Sequence, residues 1–201
     1  MSELLTYVHF GFRHIVDVEA MDHILFLLAL AAIYRLREWR STLWVITAFT
    51  IGHSITLALA VTGAVRIPAP LIEFLIPLTI VATTAENIVV RDRGAALWGG
   101  HYRSAFAGIF GLVHGAGFAT YLRSLFVERV ALPLFGFNVG IELGQLVVLA
   151  AAFVLLAGID RTLAVLRLPD GSPQPLRLRV IGVSTIVFAV AVRWAVERNP
   201  W

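Results

Sequence analysis

LPLFGFNVGIELGQLVVLAAAFVLLAG, residues 132–158, holds a single ionisable side chain, Glu142. About 20 such residues are enough for a helix to cross the hydrocarbon core of a bilayer. This run exceeds that and has length to spare for tilting or for fraying at one end. Runs of the same character lie on either side of it, at 20–36, 41–63, 69–90, 104–124 and 179–197. The expected fold is therefore all-α: a polytopic membrane helix bundle of about six transmembrane helices, forming one transmembrane domain over residues 1–201. Residues 1–18 are too short and too polar to span, and are expected to form a short N-terminal interfacial or re-entrant segment.

Composition agrees. Of 201 residues, 59% are hydrophobic and 14% charged, where a soluble domain carries about 25% charge. The mean hydropathy is +0.84. The apolar excess must face something other than water, and no stretch remains for a separate soluble domain. There is no cysteine, which excludes disulfides, thiolate metal sites and thiol catalysis. The net charge of +3 rests on arginine alone, since the chain has no lysine. A Walker-type nucleotide loop needs a lysine and is excluded. The arginines sit between apolar runs rather than along one basic stripe, so no nucleic-acid partner is expected. No cleavable signal peptide is expected either: Arg13 precedes the first apolar run, but Asp17, Glu19 and Asp22 lie between.

The loops after the first, third and fifth runs carry ten arginines, and the other side carries six. By the positive-inside rule both termini face outward, and the expected location is the bacterial inner (cytoplasmic) membrane. Residues 166–178, with Pro169, Gly171, Pro173 and Pro175, read as an irregular cytoplasmic connector.

Ionisable groups at membrane depth are costly, and usually face the bundle interior or a wet cavity. Asp22 and His23 open the first run. His53 lies in the second, Glu73 and Glu86 in the third, His114 in the fourth and Glu142 in the fifth, while His14 precedes them all. Counting along each run predicts a ladder: His14, Asp22 and His23 near the outer side, His53 in the outer half, and His114 and Glu142 near the midplane. Helical phase predicts a polar interior, because Thr50, His53 and Ser54 share a face, as do Asn138, Glu142 and Gln145. Gly108, Gly111 and Gly115 form a small-residue seam beside His114, suited to close helix approach in lipid. An uninterrupted helix would put His14 on a different face from Asp22 and His23. Convergence requires a turn near Val18 to Met21. His101 reads as a loop residue without a special role.

Imidazole and carboxylate together suit nickel, cobalt, zinc or iron as divalent ions. The bland alternative is that these groups only cross-link helices by hydrogen bonds. A zinc-dependent intramembrane hydrolase is a second class, with histidines holding the metal and a glutamate as base. However, no HExxH helix is present. Ser54 adjoins His53, but adjacent helix residues do not face each other. A third class is an accessory or structural subunit of a membrane complex. His53 and His114 share a Phe-xxx-His context, a trace of internal duplication.

Five blocks along the chain resemble the HupE/UreJ family, particularly its second subfamily. They are GFRHIVDVEAMDHILFLLAL (11–30), FTIGHSITLALA (49–60), IEFLIPLTIVATTAENI (72–88), FGLVHGAGFA (110–119) and FGFNVGIELGQL (135–146). The resemblance implies a membrane protein of metal handling, with members described as secondary nickel permeases or as accessory proteins of hydrogenase and urease maturation. It implies His14, Asp22, His23, His53, Glu73, Glu86, His114 and Glu142 as candidate metal-site positions, with nickel, cobalt or another metal as the ion; the donor chemistry adds zinc. The nickel-associated branch usually has His-Pro, and a glycine shortly before Asp-His. Here Ile15 follows His14, and Ala20 and Met21 precede Asp22. The expected function is a secondary permease for a divalent transition-metal ion. Its expected partners are the metal ion, membrane lipid and, since six spans are few for alternating access, a homo-oligomer or membrane-complex partner.

Overall fold

A computed structural model describes residues 2–18, 21–90, 102–125, 131–166 and 174–201. His101 and residues 167–173 of the expected connector lie outside them. Seven α-helices occur among the described residues: α1 Glu3–Val16, α2 Met21–Ala31, α3 Trp39–Val61, α4 Ala69–Val89, α5 Tyr102–Leu125, α6 Ala131–Val165 and α7 Pro175–Glu197. Their ends follow local chemistry. Pro70 and Pro175 stand in the first turns of α4 and α7, where a missing N–H costs nothing. α3 ends at Thr62, followed by Gly63 at φ 81, a left-handed position that glycine takes without strain.

Four segments are long and apolar enough to cross a membrane: Leu36–Val61, Ala69–Val89, Ala131–Val165 and Pro175–Glu197. α5, at 24 residues, has the same reach. The outward faces of these columns are apolar, with Trp44, Ile51, Val154 and Ile186 all exposed. This is the integral membrane bundle that the sequence predicts.

The first span departs from its expected boundaries. α2 has only 11 residues, roughly 16 Å of helix at 1.5 Å per residue, about half of a bilayer core. The other half comes from α1. α1 does not lie across the end of the bundle but runs along α6 in the same direction. Leu4 meets Gly136, Val8 meets Gly140 and Ile15 meets Gly144. Farther along the same column, Arg179 holds the carbonyls of Ala32 and Tyr34 and pairs with Asp160 of α6. So α1 and α2 stand end to end beside α6 as one interrupted column. The segment expected to be interfacial or re-entrant is a helix over Glu3–Val16, packed lengthwise on α6.

Three helix pairs surround α2. α3 and α5 run parallel, pressed together backbone to backbone. A Cβ on Gly52 would stand 2.0 Å from the Gly108 carbonyl oxygen, and one on Gly111 would stand 2.1 Å from that of Phe49. α1 and α6 pair likewise, with a Cβ on Gly140 falling 2.1 Å from the Val8 oxygen. α4 and α7 are antiparallel: Phe74 meets Trp201 at one end, and Asn87 bonds Ser184 toward the other. α2 fills the middle, and Phe26, Leu27, Ala29, Leu30 and Ala31 are all buried. Both chain ends lie at one end of the bundle. Arg35, Arg103, Arg177 and Arg179 lie at the other, where Arg177 caps the last carbonyls of α4.

Candidate metal centre

The interruption between α1 and α2 builds the site. Asp17 takes an extended backbone (ψ 126) and ends α1, its N–H on the Arg13 carbonyl. That places His14 in the last turn of α1 and His23 in the first of α2. Their rings meet edge-on with centroids 4.7 Å apart. α1 ends at Val16 and α2 begins at Met21, and residues 19 and 20 of the expected turn lie outside the described residues.

α3 supplies a third imidazole. The His53 ring lies 6.2 Å from His14 and 6.4 Å from His23, centroid to centroid. Nitrogens of His14, His23 and His53 all lie within 4.8 Å of one another. His53 is fully buried, and neither of its ring nitrogens has a hydrogen-bond partner among the described residues. A buried polar group without a partner costs about 1–3 kcal/mol, which a fold tolerates where something else is to be held.

Asp22 orients His23. One carboxylate oxygen accepts from His23 Nδ1 at 3.0 Å and from the His23 backbone N–H at 2.9 Å. With the proton on Nδ1, the lone pair is on Nε2, which is buried and has no partner among the described residues. Metal-binding histidines use such a carboxylate to fix tautomer and ring angle. His114 of α5 joins through His23, at 5.2 Å between centroids, and its Nε2 lies 3.1 Å from the Thr79 hydroxyl of α4. Phe49 and Phe26 wall the cluster against His114, and Phe137 walls it against His14.

The donor set fits a metal ion. At a metal–nitrogen distance of about 2.0–2.1 Å, two nitrogens on one ion stand at most about 4.2 Å apart. Small ring rotations close the difference from 4.8 Å. Three imidazoles from three helices, one of them carboxylate-bound, suit a borderline divalent ion.

The height of the cluster differs from the predicted ladder. Thr79 lies at the centre of Ala69–Val89, and His114 at the centre of Tyr102–Leu125. Asp22 and His23 are therefore at mid-bundle rather than near one surface, because α1 occupies the half that counting from residue 20 assigns to them. The four histidines and Asp22 are gathered at one depth.

The other carboxylates stand apart. Glu142 accepts from Thr47 at 3.2 Å, in a polar layer where Gln145 also accepts from Thr50 at 2.9 Å. Glu73 is exposed near the start of α4. Glu86 lies at the arginine-rich end, paired with Arg103 at 2.6 Å and accepting from Tyr102. Sequence reading passed over Thr79 and the phenylalanine walls. The signal for Phe49 was its place one turn before His53; an isolated threonine in an apolar helix gives none.

A family model described as HupE / UreJ protein matches residues 1–198. No curated protein and no solved structure matches the chain.

Proposed function

The chain belongs to the HupE/UreJ family, and from that premise we propose that it is a secondary permease for a divalent transition-metal ion, nickel or cobalt. The family is associated with transport of these two metals. The observation that carries the reading is the meeting of His14, His23 and His53, from three helices, with their nitrogens within 4.8 Å at the centre of the bundle. In this reading an incoming ion exchanges water for imidazole nitrogen, with Asp22 holding His23 in the ligating tautomer. Release follows when protons compete for the same nitrogens, since a protonated imidazole cannot coordinate. Binding must be strong enough to offset dehydration and weak enough to let go. The cytoplasmic membrane, with the arginine-rich end inward and both termini outside, is the proposed setting.

The test is uptake of nickel or cobalt into proteoliposomes containing only this protein. We expect saturable uptake that His53→Ala abolishes while the variant still purifies as a folded bundle. Absence of uptake by the unaltered protein, at either metal, would sink the proposal.

One observation favours a second reading. The histidines lie at one depth rather than along a path, and three imidazoles are also the protein donor set of a hydrolytic zinc site. An intramembrane zinc-dependent hydrolase would turn over a lipid or peptide in the same vesicles with no net metal movement.

A further inference from the structure

A cavity of about 420 Å³ lies between α6 and α7 at the arginine-rich end of the bundle, within the size range of small-molecule sites. Its wall changes character along α6. Phe153, Leu156 and Ala157 line the deeper part, and Asp160, one turn nearer the end, lines the mouth. From Phe153 to Asp160 is roughly 10 Å of helix. Two arginines complete the mouth. Arg179 is buried and its charge is answered, since it pairs with Asp160 and donates to the carbonyls of Ala32 and Tyr34. Arg35 is exposed and pairs with no acid among the described residues. α7 begins at Pro175 in the same wall, adding the partial positive charge of a helix N-terminus.

We propose that this cavity binds one anionic phospholipid from the leaflet at the arginine-rich end, with its phosphate on Arg35 and the start of its chains on Phe153, Leu156 and Ala157. From the middle of the bilayer to its edge, the cavity runs from apolar to cationic, which is the polarity of a phospholipid standing in its leaflet. Basic pockets between membrane helices are sites of this kind. Water or a free anion would use the mouth and leave the apolar floor without a partner. A choline or ethanolamine headgroup would bring a second cation to a mouth whose one carboxylate is already paired with Arg179. An anionic headgroup answers Arg35 and adds no cation. Bound there, the lipid touches three segments at once: the connection from α2 to α3, α6 and α7. Neither the histidine cluster nor transport enters this inference.

The experiment titrates delipidated protein in maltoside micelles with phosphatidylglycerol, phosphatidylcholine or inorganic phosphate. Thermal unfolding reads the binding, and native mass spectrometry counts the lipid retained. We expect phosphatidylglycerol to raise Tm saturably, with one lipid retained per chain, and the other two to do neither. Arg35→Gln should weaken phosphatidylglycerol binding about fivefold, the effect of one basic residue on an anionic lipid surface. Arg37→Gln, at an exposed position outside the cavity, should leave it unchanged. Ala157→Phe fills the apolar part and should abolish the lipid-dependent shift while the lipid-free protein still unfolds cooperatively. Equal shifts from phosphatidylglycerol and phosphatidylcholine overturn the proposal, as do equal shifts from phosphatidylglycerol and inorganic phosphate. So do equal losses in Arg35→Gln and Arg37→Gln, which would mean diffuse attraction to the arginine-rich end, and full lipid binding by Ala157→Phe.

Discussion

α3 has two working faces, and they hold their neighbours by different physics. Toward α5 it presents Gly52 and the backbone of Phe49 and His53, against Gly108, Gly111 and Gly115. Toward α6 it presents Thr47 and Thr50, bonded to Glu142 and Gln145. Lipid tails are as apolar as leucine, so burying apolar surface does not by itself draw two membrane helices together. What remains is dense packing or polar bonding, and α3 uses one on each side. The packed face fixes distance and register, which is why His53 and His114, one on each partner, keep a set relation to each other. The bonded face fixes which neighbour, but leaves side chains rather than backbone to define the gap. The site lies where the two faces meet.

The sharpest way to break this contrast is to add one methyl group. Gly111→Ala places a Cβ 2.1 Å from the Phe49 oxygen and 2.9 Å from the His53 nitrogen, both backbone atoms that no rotamer change can move. α3 and α5 must separate, at a cost of about 1–3 kcal/mol, and His53 must leave its place. Gly108→Ala, one turn earlier on the same helix, meets nothing nearer than 3.5 Å. It should be neutral or slightly stabilising, since alanine favours helix over glycine by up to about 1 kcal/mol. Unfolding by denaturant in mixed micelles would read both. Equal losses at the two positions would refute the packed seam.

The bonded face should respond more gently. Thr50→Val keeps the shape and removes the donor to Gln145. Interhelical hydrogen bonds in membranes average about 0.6 kcal/mol, so a loss near that value is expected by the same unfolding assay. A loss as large as that of Gly111→Ala would mean that the two faces are not different in kind.

The comparison also explains what the sequence could and could not say. The Gly108, Gly111 and Gly115 seam was legible because small residues at helical spacing have one main use in lipid. The end of α1 before His23 was legible because His14 and His23 cannot share the face of one uninterrupted helix. The insertion of α1 was not. Glu3, His9, Arg13 and His14 make a 14-residue helix too polar to read as a span. The signal that places it is on another helix, in Gly136, Gly140 and Gly144 of α6, which receive its backbone and side chains. Since α1 sets the height of everything after it, the predicted ladder became a cluster. Glu73, Glu86 and Glu142 are a different case. An acid in an apolar run announces that it needs a partner without naming one, and Glu86 found Arg103, from a helix that the periodicity alone could not bring beside it.

Glu142 gives the smallest expected effect and the most discriminating one. Its resemblance to the family's fifth-span signature marks it as a metal-site position, whereas the structure puts it in the bonded layer with Thr47. The two roles part company on Glu142→Gln. As a ligand, the carboxylate contributes a negative charge that an amide cannot replace, and nickel affinity would fall by orders of magnitude. As an acceptor for the Thr47 hydroxyl, its oxygen is matched by the amide oxygen of glutamine, and both stability and affinity should stay within about threefold, the 0.6 kcal/mol scale of one such bond. We expect the second result in a Ni²⁺ titration. The site is held by imidazoles of α1, α2 and α3, whereas Glu142 is bonded to Thr47 and is not one of that group. A collapse of affinity in Glu142→Gln would instead require α3 and α6 to close further than they do here, bringing the bonded layer into the metal's shell.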